Sequence, residues 1–229
     1  MKKEDLQVIK EGKTGYGILI ENIGSIEMDK KSTIKEGIGD GEWHCPHPFV
    51  VSCLLQRAGT KNANGRVYPR DILEREVENY QTLIRERRAL GELDHPQDST
   101  ISLQRISHNI VECHWEGDAL IGKLELNTTE GFRRNGIVST MGDQAANLLL
   151  NGYKIGISSR AVGSVENKLG VLMVGDDLEL ICWDLVSDPS TPGAWLGDEH
   201  ELKQYVENNT STQNKTPLQE KINKLQNLL

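Results

Sequence analysis

Hydrophobic and polar positions along the middle of the chain fall into segments typical of β-strands. A continuous apolar run from Phe49 to Leu55 predicts a buried strand. The stretch from Ile106 to Trp115 is strand-like, and a turn signal separates it from a return strand, Ala119 to Leu126. Further strand-like segments are Lys154 to Val162, Val171 to Val174 and Leu178 to Val186.

Two other segments have helical periodicity. The first follows Pro69, ends near Leu90 with Gly91 behind it, and has one apolar face: Leu73, Val77, Tyr80 and Ile84. The second has Ser139 as its candidate cap, closes at Gly152 and carries Met141, Ala145, Leu148 and Leu149. Many strands, two helices and no regular β–α alternation favour an α+β fold or a β-barrel flanked by helices.

The two ends of the chain differ from the middle. Residues 1–42 contain many Lys, Glu and Gly and predict a flexible arm, in which only Tyr16 to Ile20 resembles a strand. The core is expected to start near Trp43 and to run to about residue 200. Residues 201–229 predict a polar linker and a short helix whose apolar seam is Leu218, Ile222, Leu225 and Leu229. This helix either docks on a partner or packs on its own core.

Composition excludes several classes of protein. The 229 residues carry a net charge of −8, which is unfavourable for general nucleic-acid binding. No apolar run is long enough to cross a bilayer, and the start lacks a secretory signal, so no membrane association is expected. The scattered cysteines, Cys45, Cys53, Cys113 and Cys182, predict reduced structural thiols.

Three segments contain residues suited to catalysis. His95 lies in a loop after the first helix, where an imidazole can move protons near neutral pH. Ser158 and Ser159 lie with Arg160 in a run of small residues that a substrate backbone could approach. Asp184 lies in an apolar strand, where a carboxylate needs a partner. A nucleophile, a base and an orienting carboxylate together predict a catalytic triad.

The sequence also resembles a known family in three blocks. These blocks are Asn62-Ala63-Asn64-Gly65-Arg66-Val67-Tyr68-Pro69, Gly91-Glu92-Leu93-Asp94-His95-Pro96 and Gly156-Ile157-Ser158-Ser159-Arg160-Ala161-Val162-Gly163-Ser164. In this order they resemble the signature blocks of the prohead core proteases of tailed, myovirus-type phages, a serine endopeptidase family distantly related to herpesvirus assemblins. The resemblance implies an assemblin-like β-barrel surrounded by helices.

The resemblance assigns roles to the candidate residues. It implies that His95 is the general base and Ser158 the nucleophile, with Ser159 as the competitor. For the third member, position and surroundings favour Asp184, and Glu179 and Asp177 are alternatives. Arg160 and a backbone N–H of Ser159 or Arg160 are expected to help form the oxyanion hole. No cofactor or metal is expected.

The same resemblance implies a biological setting. The expected place of action is the immature capsid inside the host cytoplasm, and the expected substrates are scaffold, core and capsid proteins cleaved after Glu with Leu or Ile two residues earlier. Copies of this pattern in the chain predict self-cleavage after Glu11, Glu21, Glu36 and Glu220. Self-cleavage would remove the arm and the terminal helix from a zymogen. A homodimer or higher oligomer is left open, and no specific nucleic acid is expected.

Three other interpretations of the residues compete with this one. A non-enzymatic prohead scaffold or interaction protein would suit the arm, the acidic balance and the terminal seam. A zinc site could use His44, Cys45, His47, Cys113 or His114, although their spacing matches no standard finger. A cysteine hydrolase would need an exposed thiolate at Cys113 or Cys182, which strand-core positions do not favour.

Overall fold

The computed structural model describes residues 15–20, 38–39, 42–43, 45–96, 98–191, 194 and 196–197. Within these ranges the strands are β1 (Gly15–Ile20), β2 (Ile38–Gly39), β3 (Glu42–Trp43), β4 (Val50–Arg57), β5 (Arg66–Val67), β6 (Leu90–Glu92), β7 (Ile106–Glu116), β8 (Ala119–Leu126), β9 (Gly156–Lys168), β10 (Val171–Val174), β11 (Glu179–Val186) and β12 (Leu196–Gly197). The helices are α1 (Arg70–Arg85), α2 (Glu130–Asn135) and α3 (Met141–Leu150). The α+β prediction is confirmed.

Strand β9 is the centre of one sheet, which we call the β9 sheet. Its order is β1-β9-β10-β5, and β11 also pairs with β9, antiparallel. The other large sheet, which we call the β4 sheet, has the order β12-β4-β8-β7-β6. A third pair, β2 with β3, is separate.

Two narrow seams join the large sheets. On one side Leu93 forms a parallel bridge with Leu185, and the Asp94 N–H donates to the Leu185 carbonyl at 2.8 Å. On the other side the Ile157 N–H donates to the Ala194 carbonyl at 2.8 Å. The strands at these seams, β6 and β12, have three and two residues, too few for continuous ladders. The described strands therefore form two joined sheets and no closed barrel, which corrects the barrel prediction.

Helix α1 packs one face against the strands that carry the candidate site. Its Tyr80 ring meets the Trp183 ring of β11 edge to face, with centroids 4.8 Å apart. Both rings belong to the main core, together with residues of β4, β7, β8 and α3. The indole of Trp183 is fully buried, so the face of β11 opposite Asp184 is fixed by this core.

The first helix is shorter than predicted. It ends at Arg85, and Arg87 follows in a left-handed conformation with φ 56°. Leu90, Gly91 and Glu92 then form β6. The apolar spacing extended to Leu90, which is the first residue of β6, so hydrophobic spacing alone could not separate the helix from the short strand.

The arm contributes more than was predicted. The strand expected near Tyr16 to Ile20 is β1, but it pairs with β9 along its whole length, from Gly15 with Val165 to Ile20 with Arg160. The Leu19 side chain is fully buried. The core therefore begins before Trp43, contrary to the sequence expectation. The terminal linker, its helix and the four candidate self-cleavage glutamates lie outside the described residues.

Candidate active site

Strand pairing brings the three candidate catalytic segments together. Strand β6 leads through Leu93 and Asp94 to His95, and the Leu93–Leu185 bridge holds this loop beside β11. Asp184 of β11 lies directly opposite Ser158 of β9 in the antiparallel ladder. The three segments that the sequence analysis grouped therefore lie close together in the fold, although two of them are 89 residues apart in the chain.

His95 and Asp184 form a close contact. The imidazole Nδ1 lies 2.7 Å from the Asp184 Oδ2, and both side chains are almost completely buried. Because an ionised carboxylate only accepts hydrogen bonds, Nδ1 carries the proton and donates it. This leaves Nε2 able to accept a proton, and within the described residues that atom makes no hydrogen bond. An imidazole held in this tautomer is suited to act as a general base.

Asp184 is held on both of its oxygens. Oδ1 accepts the Glu92 backbone N–H at 2.9 Å and a hydrogen bond from the Cys182 thiol at 3.3 Å. Arg160 contacts both oxygens, with Nη2 3.3 Å from Oδ1 and Nε 2.9 Å from Oδ2. The Nε contact is an ion pair whose geometry falls outside that of a hydrogen bond. Burial raises the pKa of Asp184, but the His95 hydrogen bond and the Arg160 charge outweigh it and hold the pKa below its usual value.

The ladder register separates Ser158 from Ser159. Residues opposite each other in an antiparallel pair share a face, and successive residues alternate between faces. Ser158 therefore shares the face of Asp184, whereas Ser159, opposite Trp183, shares the face that packs toward Tyr80. Only 2% of Ser158 and 4% of the His95 side chain are exposed, so the site is closed in this structure.

Arg160 occupies a different place from the one its sequence suggested. It was expected near the oxyanion hole, but its fully buried guanidinium contacts Asp184 and Glu92. Its Nη1 donates to the carbonyl oxygens of Asp98 and Thr100 at 2.8 and 3.4 Å. The side chain therefore lies against the Asp184 carboxylate and the chain that follows His95.

The alternative third members of the triad lie elsewhere. Asp177 is exposed, and its Oδ1 accepts hydrogen bonds from the backbone N–H and hydroxyl of Ser164. Glu179 is exposed at the start of β11, opposite Val162. Among the described carboxylates, Asp184 is the one that contacts the His95 ring.

Sequence reasoning missed two buried groups beside the site. Glu92, although part of a signature block, was given no role, yet its carboxylate binds the Ser102 N–H, Arg105 and Arg160. His108 is also fully buried, with Nε2 3.1 Å from the Trp183 carbonyl and Nδ1 2.9 Å from the Ser107 hydroxyl. Burial lowers the pKa of His108 to about 4, although the Asp184 charge and the Trp183 carbonyl oppose it. The signal for Glu92 was its position three residues before His95.

The first signature block forms a turn. The Asn62 N–H donates to the Arg66 carbonyl at 2.9 Å, and the Asn62 side-chain oxygen accepts the Arg66 N–H at 3.0 Å. Gly65 has a φ of +78°, which favours glycine at that position. This turn leads into β5 and to the start of α1, so the block supports the fold beside the site.

The cysteines are buried and free, as predicted. Burial raises the pKa of Cys113 to about 11 and that of Cys182 well above its ordinary value, the opposite of an activated thiolate. Over the described ranges, no group of three potential ligands could hold a metal ion. Of the candidate ligands, Cys113 accepts a hydrogen bond from Gln81 and His114 pairs with Glu112 and Glu116.

Comparisons with known proteins decide the family. The model of the family described as prohead core protein serine protease matches residues 13–207. The chain belongs to this family. It is 30% identical over 151 residues to the prohead core protein protease of Enterobacteria phage T4, covering 65% of this chain and 68% of the relative. The match that opens at residue 13 includes β1, in agreement with its place in the sheet. Membership makes the chain a phage prohead protease.

A solved structure shows the same fold. The bacteriophage T4 capsid assembly protease superposes with a TM-score of 0.59 at 23% identity, over 75% of this chain and 98% of the other. At this identity the likeness concerns the fold. Within the described part of this prohead protease, no helix is long and apolar enough to cross a membrane.

Proposed function

We propose that the chain is a serine endopeptidase of phage prohead maturation, with Ser158 as nucleophile, His95 as general base and Asp184 as orienting carboxylate. The observation that carries this proposal is the 2.7 Å contact between His95 Nδ1 and Asp184 Oδ2. Asp184 is the residue directly opposite Ser158 in the ladder. Family membership supports the reaction class, and the geometry supports these roles.

The proposed reaction follows from the protonation states. The His95 Nε2 takes the proton of the Ser158 hydroxyl as its oxygen attacks the carbonyl carbon of the scissile peptide. The imidazolium that forms is stabilised by Asp184, which remains ionised. The His95 imidazolium then gives its proton to the leaving amine. In the second half of the reaction His95 takes a proton from water, which attacks the acyl-enzyme, and returns a proton to the Ser158 oxygen as it leaves.

The backbone N–H of Ser159 is the proposed oxyanion donor. Alternate N–H groups of a strand point to the same side, and the Ile157 N–H points to Ala194, away from β11. By this alternation the Ser159 N–H also points away from β11. The Arg160 N–H points the other way, toward β11 and its partner Cys182. The Ser159 N–H is therefore better placed than the Arg160 N–H to donate to an oxyanion.

The proposed substrates are scaffold, core and capsid proteins inside the prohead of the infected cell, cleaved after Glu with Leu or Ile two residues earlier. The chain itself is proposed to be a zymogen that trims its ends at Glu11, Glu21, Glu36 and Glu220. The burial of Ser158 and His95 supports a latent full-length form. Cleavage after Glu21 requires β1 to open first, because Leu19 is buried and paired with Ala161.

The test compares Ser158→Ala with Ser159→Ala in the full chain. Intact mass is followed over time, and hydrolysis of a Leu-x-Glu peptide is measured in parallel. We expect wild type to shorten to fragments that end at Glu, Ser158→Ala to stay full length, and Ser159→Ala to retain activity because its backbone N–H is unchanged. Self-trimming by purified Ser158→Ala would contradict the proposal.

A further inference from the structure

We propose that Arg160 is a positioning residue, which holds the Asp184 carboxylate toward His95 and ties the segment after His95 to strand β9. This inference rests on the proposed function, because it assigns a role within the same site. It concerns a side chain that touches the orienting carboxylate and not the scissile bond.

The guanidinium of Arg160 is directed at the Asp184 carboxylate. Arg160 lies two residues after Ser158, so both side chains share a face of β9, and Arg160 faces Cys182 across the ladder. Nε and Nη2 contact the two oxygens of Asp184 at 2.9 and 3.3 Å. The planar guanidinium therefore spans both oxygens as a fork, through one hydrogen bond from Nη2 and one ion pair from Nε, and it restrains the rotation of the carboxylate about its Cβ–Cγ bond. That rotation decides whether Oδ2 faces His95.

The other terminal nitrogen of the same guanidinium contacts the segment that follows His95. Nη1 donates to the carbonyl oxygens of Asp98 and Thr100, which lie three and five residues after His95. Glu92, three residues before His95, accepts Nη2 at 3.3 Å. One guanidinium therefore connects the strand before His95, the chain after it and the carboxylate that binds its ring.

Glu92 is the second carboxylate that binds Arg160. Its fully buried carboxylate also accepts the Ser102 N–H at 2.6 Å and Arg105 Nε at 3.1 Å. Two carboxylates, Asp184 and Glu92, are thus neutralised by Arg160 and by the half-exposed Arg105. Because isolated buried charges are costly, removal of the Arg160 charge leaves this cluster with an excess of anions.

The charged or titratable groups around Asp184 come from five elements and one loop: Glu92 on β6, His95 in the following loop, Arg160 on β9, Cys182 on β11, His108 on β7 and Tyr80 on α1. Burial raises the pKa of Cys182 and Tyr80, so both stay protonated, and His108 is neutral above about pH 4. Near neutral pH, loss of the Arg160 charge therefore acts on Asp184 and its His95 partner.

The kinetic test uses Arg160→Lys and Arg160→Met, with Arg57→Lys as the matched control. Arg57 is an equally buried strand arginine paired with an aspartate, Asp118, on the β4 sheet. We expect Arg160→Lys to lower kcat on the peptide about 10–100-fold with little change in KM, because the single ammonium cannot replace the fork. Arg160→Met is expected to move the acid limb of the kcat/KM profile to higher pH, since one cause of the low Asp184 pKa is gone.

A charge-balanced variant keeps the inference testable if Arg160→Met does not fold. The double variant Glu92→Gln with Arg160→Met removes one anion and one cation, and it is expected to fold with the same upward shift of the acid limb. An unchanged kcat in Arg160→Lys would overturn the positioning role. So would an unmoved acid limb of the kcat/KM profile in both Arg160→Met and the double variant. Arg57→Lys is expected to leave the pH profile unmoved.

A second measurement separates this inference from the proposed function. In the Ser158→Ala background, which is inactive under the proposal, nitrogen-15 labelling of histidine follows the Nδ1 proton of His95 by NMR. We expect a protected low-field proton that Arg160→Lys shifts upfield or exposes to exchange. A signal identical with and without Arg160 would overturn the inference, even if wild type proves to be a serine protease. If the His95 proton signal responds to Arg160 but no peptide hydrolysis depends on Ser158, the proposed function is overturned and this inference is not.

Discussion

Asp184 is a buried carboxylate that has a proposed role in the chemistry and also holds neighbouring elements together. It stood out in the sequence because a charged residue in an apolar strand needs a partner, and the structure supplies His95 and Arg160. The sequence could also name Ser158, but only the ladder register separates its face from that of Ser159. The direction of Arg160 was not predictable, since it depends on which carboxylates the folded strands bring near.

The first prediction compares Asp184→Asn with Glu179→Gln. An amide in place of the carboxylate leaves the wrong His95 tautomer favoured, so we expect kcat to fall about 10⁴-fold. It also leaves the Arg160 charge partly unpaired, which is expected to lower the free energy of unfolding by about 3 kcal/mol. Peptide hydrolysis and urea unfolding measure the two effects.

Glu179→Gln is the control, because Glu179 was the competing third member and is exposed on the same strand. We expect its activity and stability to match wild type. Loss of activity in Glu179→Gln with a functional Asp184→Asn would instead make Glu179 the orienting residue.

Strand β6 shows what three residues can contribute at the scale of an element. The strand places Glu92 against Asp184 and delivers the chain to His95. Its middle residue, Gly91, packs so closely that a Cβ there would overlap the Trp183 carbonyl oxygen and the His108 ring. Hydrophobic periodicity predicted a helix over Leu90, because a three-residue strand carries too little pattern to be recognised.

The second prediction follows from this close approach. We expect Gly91→Ala to lower the free energy of unfolding by about 1–3 kcal/mol and to reduce activity, because β6 must move away from β11. The matched control is Gly131→Ala in α2, where a Cβ meets no atom nearer than 4.0 Å. Alanine there is expected to be neutral or slightly stabilising. Equal stability of the two variants in urea unfolding would show that β6 is not tightly packed.

At the scale of the whole molecule, the sequence predicted the α+β class, most strands and two helices, but not how the sheets join. The seams depend on Leu93, Ala194 and other residues in short or irregular segments whose pairing is set by tertiary contacts. Strand β1 was recognised but placed outside the core, since the polar residues around it conceal that Leu19 is buried against β9. Local pattern fixes elements more readily than their long-range partners.

The third prediction concerns stability against pH and depends on His108. The unfolded chain takes up a proton on this residue near its ordinary pKa of 6.5, whereas the folded protein does so only near 4. The folded state is therefore destabilised as pH falls from about 6.5 to about 4, and the loss amounts to about 3 kcal/mol. Urea unfolding at pH 7 and pH 4.5 measures this loss.

His108→Gln is the control for the other histidines, because it cannot titrate but can still donate to the Trp183 carbonyl. We expect its stability to fall less than that of wild type between the two pH values. The same pH dependence in both proteins would show that His108 does not cause the loss.

A fluorophosphonate identifies the reactive serine directly, when the residue that it labels in the trimmed protein is found by peptide mass spectrometry. We expect a single label on Ser158, and none in a His95→Ala variant, because the hydroxyl reacts only when the imidazole takes its proton. A label on Ser159, or equal labelling with and without His95, would contradict the proposed roles of Ser158 and His95.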